Sequence, residues 1–387
     1  MEDRDPFRFI AVLLGLFAFF LIYSIALAQI MLGMALLAWC IKLLRERPVR
    51  IDWSPLIYPI LLFIFISFIS ALASNDILLS LYSFKEMLLF GVLILALNNL
   101  ERCGQIDRIF IAMFCSMALG SAYGLFHYFF LSSGGLVSRL DIFHHYLTTA
   151  ELIMMVLLVL TARFLFYSDR PTYFLVPAYL LIMTALAFTY ARSAWIGFIA
   201  GMIFLCCLRK PVLLAFLPLL FVLIYFISPG EVGQRIRSIL DRKDPTVSER
   251  IYFHQSGVAM IKDHPLLGVG PDLANEHYAD YRIADAPDRF IPHLHSNIIQ
   301  IGAERGLLGL AAWLYFFGRF FRDGRVAWRR KNGAKKKYLI SGALAAVIGM
   351  LAAGFFEYNF GDSEIQMWTF FMMSTLYVIL KENEREK

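Results

Sequence analysis

Residues 56–73 read Leu56-Ile57-Tyr58-Pro59-Ile60-Leu61-Leu62-Phe63-Ile64-Phe65-Ile66-Ser67-Phe68-Ile69-Ser70-Ala71-Leu72-Ala73, a run without one charged side chain. A strand of an outer-membrane barrel would alternate apolar and polar residues over about 10 positions, and this run does not alternate. A helix rising about 1.5 Å per residue needs a run of this order to cross a hydrocarbon layer of roughly 30 Å. Similar blocks, punctuated by charges, Gly and Pro, predict spans near 9–26, 28–44, 54–73, 84–99, 107–131, 143–162, 173–190, 193–208, 211–228, 297–318, 338–356 and 364–380. Phe9 to Leu44 is apolar almost throughout and long enough for two spans. A cleaved signal peptide would have an apolar core of only about 7–15 residues, so the first helix is expected to stay attached. With 59% of residues hydrophobic and 17% charged, a soluble globular enzyme is excluded. The expected fold is all-α, a polytopic membrane protein of about 12 transmembrane helices with one large outer loop containing short helices.

Charge orients these spans. With the first residues inside, the segments predicted to be cytoplasmic carry 24 Lys and Arg, whereas the short outer segments carry only Lys85, Arg139 and Arg192. That is the positive-inside bias, and a shift by one span would reverse it. The net charge of +6 has the same origin, and the basic run Arg319 to Lys337 reads as a cytoplasmic loop near anionic headgroups rather than a nucleic-acid surface. Cys40, Cys103, Cys115, Cys206 and Cys207 map to spans or the inner side, so no disulfide is expected. Three regions follow: residues 1–228 with spans one to nine, an outer loop over 229–296, and residues 297–387 with the last three spans and a cytoplasmic tail.

The stretch from Ser228 to His295 is too long for a helix–helix turn, and long ordered loops tend to carry function. Within it, Val247 to Lys262 suits a helix lying on the membrane surface, ending at His264-Pro265 before the turn-rich Leu267-Gly268-Val269-Gly270-Pro271.

Polar groups at the outer face are the chemical candidates. Arg192 stands in Tyr190-Ala191-Arg192-Ser193-Ala194-Trp195, between two spans with almost no loop. Its fixed fork of donors suits a phosphate, although a snorkelling anchor beside an interfacial Trp has the same spacing. Arg250, in the outer loop, reads equally as a solvated charge or a partner for Glu249 or Asp263. In Pro292-His293-Leu294-His295-Ser296-Asn297 the loop ends and a span begins, with Ser296 suited to cap it. An imidazole titrates near neutrality, so His295 at that boundary suits a general base. Glu304 lies nine residues further on, about 13 Å along a continuous helix, too far to touch it. His293 and His295, even with His254, His264 or His277, lack the familiar spacing of a metal motif, and no metal or other cofactor is expected. His127 and Glu151 are ionisable groups within spans, open to a structural or a substrate role.

His295-Ser296 followed by Gln300, Glu304, Gly306 and Gly309 resembles the His-Asn/Ser and Glu-x-Gly-x-x-Gly pattern of the O-antigen ligases and related lipid-linked polysaccharide polymerases. Arg192 with Trp195 is similar to the family's Arg-x-x-Trp, and Arg250 with Pro265 to Gly270 to its loop Arg and Pro-x-x-Gly-x-Gly segment. Arg139 and Phe143-His144 are similar to a segment before the sixth span, but His144-His145-Tyr146 departs from the usual Pro-Asn step. The resemblance implies a multi-pass protein of the bacterial inner membrane whose active site, with its large loop, faces the periplasm. It implies transfer of a glycan from undecaprenyl diphosphate to a sugar hydroxyl of the lipid A core, without a metal and with inversion. His295 would be the base, Arg192 and Arg250 would bind the diphosphate, and Arg139, Tyr190, His144, Gln300 and Glu304 would support the substrate site. The partners are then the lipid-linked donor, the lipid A core and membrane lipids, with no nucleic acid. The shared motifs also serve polymerases and protein O-oligosaccharyltransferases. A lipid or solute transporter is the reading from a different class, and no internal repeat of the transporter kind stands out.

Overall fold

The computed structural model describes residues 9–45, 49–131, 139–167, 175–212, 245–283, 286, 293–330 and 332–386. Among them the chain is helical, with no strand. The helices are α1 (Phe9–Phe20), α2 (Ile25–Arg45), α3 (Ile57–Leu72), α4 (Ile77–Tyr82), α5 (Gly91–Asn99), α6 (Cys103–Phe126), α7 (Tyr146–Phe166), α8 (Val176–Phe188) and α9 (Arg192–Arg209). They continue as α10 (Pro245–Asp263), α11 (Tyr278–Tyr281), α12 (Asn297–Arg329), α13 (Ala334–Ala353) and α14 (Ser363–Arg385). Among the described residues six stretches are long and apolar enough to cross a membrane: Ile25–Arg45, Ile77–Asn99, Cys103–Leu131, Tyr146–Phe166, Arg192–Arg209 and Ala334–Ala353. α1, α3 and α8 are shorter apolar helices. The span expected over 211–228 and the first part of the outer loop fall almost wholly outside the described residues.

Two of the spans that differ from the sequence reading do so for visible reasons. The span expected near 84–99 begins at Ile77, and α4 joins α5 through a tighter 3-10 segment, Ser83–Phe90, that contains Lys85 and Glu86. The span expected near 297–318 runs on to Arg329 and is broken at Gly306, whose φ of 65° and ψ of −173° lie outside the helical region. Only glycine adopts such a conformation readily. The break is stitched by the turn-rich loop segment: the Val269 and Gly270 amides donate to the Ala303 and Glu304 carbonyls at 2.9 Å, and the Leu307 amide donates to the Pro265 carbonyl at 2.8 Å. The hydroxyl of Ser70, on α3, also donates to the Leu267 and Glu304 carbonyls at 2.6 and 3.0 Å. The Pro265–Gly270 segment therefore satisfies backbone groups that an unbroken helix would pair internally.

α7 lies at the centre, with every residue from Thr148 to Arg163 buried. It packs on α9 and α13 through small residues that let backbones approach. A Cβ on Gly197 would stand 2.5 Å from the Gly349 carbonyl oxygen, and one on Gly342 3.2 Å from the backbone of Val159. α14 is buried from Glu364 to Ile379 and stacks Phe370 on Phe90 at 4.4 Å.

This packing sorts the connections into two ends. At one end Arg163 bonds Asp107 at 2.5 Å, Lys335 lies 3.2 Å from Asp107, and Lys336 pairs with Glu386 at 2.8 Å. Those are basic segments that the charge count assigns to the inside. The other end gathers the start of α7, the end of α13 and the starts of α12 and α14, and there the candidate site forms.

Candidate active site

His295 is held in place by the entry to α12. Ser296 occupies the cap position, but its side chain makes no cap bond, so the expected capping is positional only. The start is fixed instead by the Asn297 amide donating to the Gly354 carbonyl at 2.7 Å and by the Leu294 amide donating to Gln300 Oε1 at 2.7 Å. His295 itself has φ 52°. Among the described residues, the non-glycine positions with positive φ are Tyr190, Asp272 and His295. Strain of this kind accumulates at functional sites, and all three flank the motifs singled out in the sequence.

The His295 Nδ1 lies 3.0 and 3.1 Å from the two carboxylate oxygens of Glu357. Arg250 donates to Glu357 Oε2 at 3.0 Å, and His293 Nε2 stands 3.5 Å from Oε1. α10 supplies Arg250, Phe253 and His254, which share one helical face at spacings of three and four. The Phe253 ring stacks on that of His295 at 5.7 Å, and His254 Nε2 meets the His295 carbonyl at 3.3 Å. Glu357 sits in the loop after α13, whose course is pinned by Asn359. Asn359 donates to Glu151 Oε2 at 2.9 Å and to the Met350 carbonyl at 2.8 Å, and it accepts from Asn297 at 2.7 Å. Glu151 makes this hydrogen bond through Oε2, while its buried Oε1 has no partner among the described residues.

The two histidines differ. His293 Nδ1 accepts from the His295 amide at 3.3 Å while its Nε2 faces Glu357, so both nitrogens are engaged. His295 uses Nδ1 on Glu357, which leaves Nε2 as its acceptor. Burial pushes the Glu357 carboxyl up, but the hydrogen bond from His295 and the charges of His295, His293 and Arg250 outweigh it and hold the group at about 2. Burial lowers His293 to about 4 despite Glu357, with His295 and Arg250 adding to the effect. Burial likewise lowers His254 and His145. The result is an ionised carboxylate on Nδ1 that favours a proton there, orienting the ring as a base.

The remaining candidates make contacts of their own. Gln300 bridges Leu294 to Glu304, donating to Glu304 Oε1 at 2.7 Å, and Glu304 also binds Arg305 at 2.5 Å. As expected, Glu304 does not reach the imidazole. Both ring nitrogens of His144 are engaged, Nε2 with the Leu21 carbonyl at 2.9 Å and Nδ1 with Glu364 at 3.1 Å. Arg139 lies over the Tyr146 ring at 4.2 Å, just before α7. Arg192 opens α9 next to the strained Tyr190, whose hydroxyl is 3.5 Å from that of Tyr128. The sequence reading set a metal aside because the histidines lacked a carboxylate at motif spacing. The structure brings one from 62 residues away: His293, His295 and Glu357 each offer a ligand atom, all within 4.8 Å of one another. The Arg250 guanidinium bound to Glu357 opposes a cation there, because it already neutralises the only carboxylate of the three.

At one end of the helical bundle α10 thus brings an arginine to a histidine–carboxylate pair. Residues 177–314 match the family model described as O-Antigen ligase. Its members are membrane glycosyltransferase-like ligases and polymerases. The match takes in Tyr190, Arg192, Arg250, His295, Gln300 and Glu304, while Arg139, His144 and Glu357 lie outside it. No curated protein matches the chain.

Proposed function

We propose that this protein is an O-antigen ligase, transferring a glycan from undecaprenyl diphosphate to a sugar hydroxyl of the lipid A core. The observation that carries the reading is the His295–Glu357–Arg250 chain of contacts at the loop end of the bundle. Arg250 supports it further: its Nε is buried and has no hydrogen-bond partner among the described residues, so a donor remains for an oxygen that arrives with substrate.

In the proposed reaction the acceptor hydroxyl gives its proton to His295 Nε2, and its oxygen attacks the anomeric carbon of the donor. The bond from that carbon to the diphosphate oxygen breaks, with inversion, and the departing charge rests on Arg250 and Arg192. Glu357 stabilises the imidazolium as it forms. The twelve-span topology, the inner-membrane location and the periplasmic face of the site belong to this proposal. They are supported by the charge asymmetry and by the gathering of the basic connections at the opposite end.

Deleting the gene and separating lipopolysaccharide on a gel tests the assignment. Loss of a ligase leaves core without O-chain, whereas loss of a polymerase leaves core bearing one repeat unit, and the latter pattern would contradict ligation.

A further inference from the structure

Beside the dyad opens a cavity of about 160 Å³, lined by Ser83, Glu86, Asp272, Glu304, Arg305 and Tyr358, with His293 on the side of the catalytic pair. One buried water needs only about 10–15 Å³, so this space is of ligand size. Asp362 adds a fourth carboxylate to Glu86, Asp272 and Glu304. The wall holds one guanidinium, Arg305, which bonds Glu304 at 2.5 Å and Ser67 Oγ at 3.2 Å.

These walls offer carboxyl and hydroxyl groups to a ligand rich in hydroxyls, and four carboxyl groups against one guanidinium disfavour an anionic one. The donor's diphosphate therefore does not belong here; it fits the Arg250 side of the pair. A group that is to lose its proton to His295 must approach from a space next to the base. This cavity borders His293, whose ring lies 4.3 Å from that of His295, one side chain away from the base.

We propose that the cavity is the acceptor subsite and selects a neutral or amino-substituted sugar ring over a phosphorylated or carboxylated one. The inference rests on the glycosyl-transfer reading above. It makes Asp272, at the exposed rim, and Glu86, deeper in the wall, determinants of acceptor specificity.

The test is a transfer assay with purified full-length protein in detergent, titrating lipid A core and the undecaprenyl-diphosphate-linked glycan separately. Asp272→Asn keeps a residue type that tolerates the left-handed backbone at φ 62°. It should raise the KM for lipid A core about tenfold, as for a lost hydrogen bond to a charged group, and change the donor KM less than about twofold. Glu86→Gln should move the same parameter. As competitors against the unmodified protein, glucosamine should inhibit more strongly than glucose 6-phosphate, and the gap should narrow in Asp272→Asn. A rise in donor KM instead, an unchanged acceptor KM in both variants, or stronger inhibition by glucose 6-phosphate would overturn the assignment. Absence of any product with the unmodified protein would overturn the transfer reading and the subsite with it.

Discussion

Replacing Glu357 by Gln keeps the shape of the side chain and removes its charge. The difference between a carboxyl at its ordinary 4.5 and one held at about 2 corresponds to about 3 kcal/mol of preference for the ionised form, an order-of-magnitude figure for a group only 5% exposed. His295, His293 and Arg250 share that preference, and the part due to the charge of His295 is realised only when the ring becomes imidazolium in the transition state. Glu357→Gln should therefore lower kcat by up to about 10²-fold at saturating substrates. The donor KM should rise too if Arg250 loses its position, and Glu357→Asp should recover part of both. Combined with His295→Ala, the second substitution should add little, because two residues that act as one unit are not additive. Wild-type kcat in a well-folded Glu357→Gln protein, or full additivity with His295→Ala, would refute the dyad.

Other outcomes follow from the same structure. Cysteines placed at Asp272 and Asn332 should react with an impermeant thiol reagent only at 272, and the opposite pattern would invert the proposed topology. Arg192→Ala or Arg250→Ala should each cost about 10²–10³ in kcat, with Lys a partial rescue because it keeps the charge but not the fork of donors; undiminished activity in stable Arg250→Ala protein would remove that residue from the mechanism. His293, lowered to about 4 from 6.5, binds a proton less readily folded than unfolded, so its contribution to stability is present above pH 6.5 and is lost as pH falls toward 4. The melting temperature of His293→Gln should accordingly fall less than that of the unmodified protein over this window, and parallel curves would show that His293 is not the group responsible.

Much of the bundle is legible in the sequence because membrane helices announce themselves locally, as in Leu56 to Ala73 or the uncharged run Leu152 to Ala162 of α7. The α10 helix is legible too, ending as expected at the His264-Pro265 step. What escapes is non-local. Glu357 stands 62 residues beyond His295 in a different connection, and no spacing rule links them. The one signal available was a lone carboxylate followed by Tyr358-Asn359 at the outer end between two apolar blocks. The break at Gly306 was signalled by Glu304-Arg305, adjacent charges inside a span, but a hydropathy window averages them away. The tie between that break and Pro265–Gly270 depends on tertiary hydrogen bonds that sequence does not display.

The central claim is that His295, and not His293, takes the proton. Both rings face Glu357, yet only His295 presents a nitrogen not engaged within the described protein. General-base catalysis is worth about 10²–10⁴ in rate. In a transfer assay with lipid-linked donor and lipid A core, His295→Ala should fall by that factor with donor binding retained, and His293→Ala should lose little. The reverse ranking, at equal expression and folding, would contradict the account.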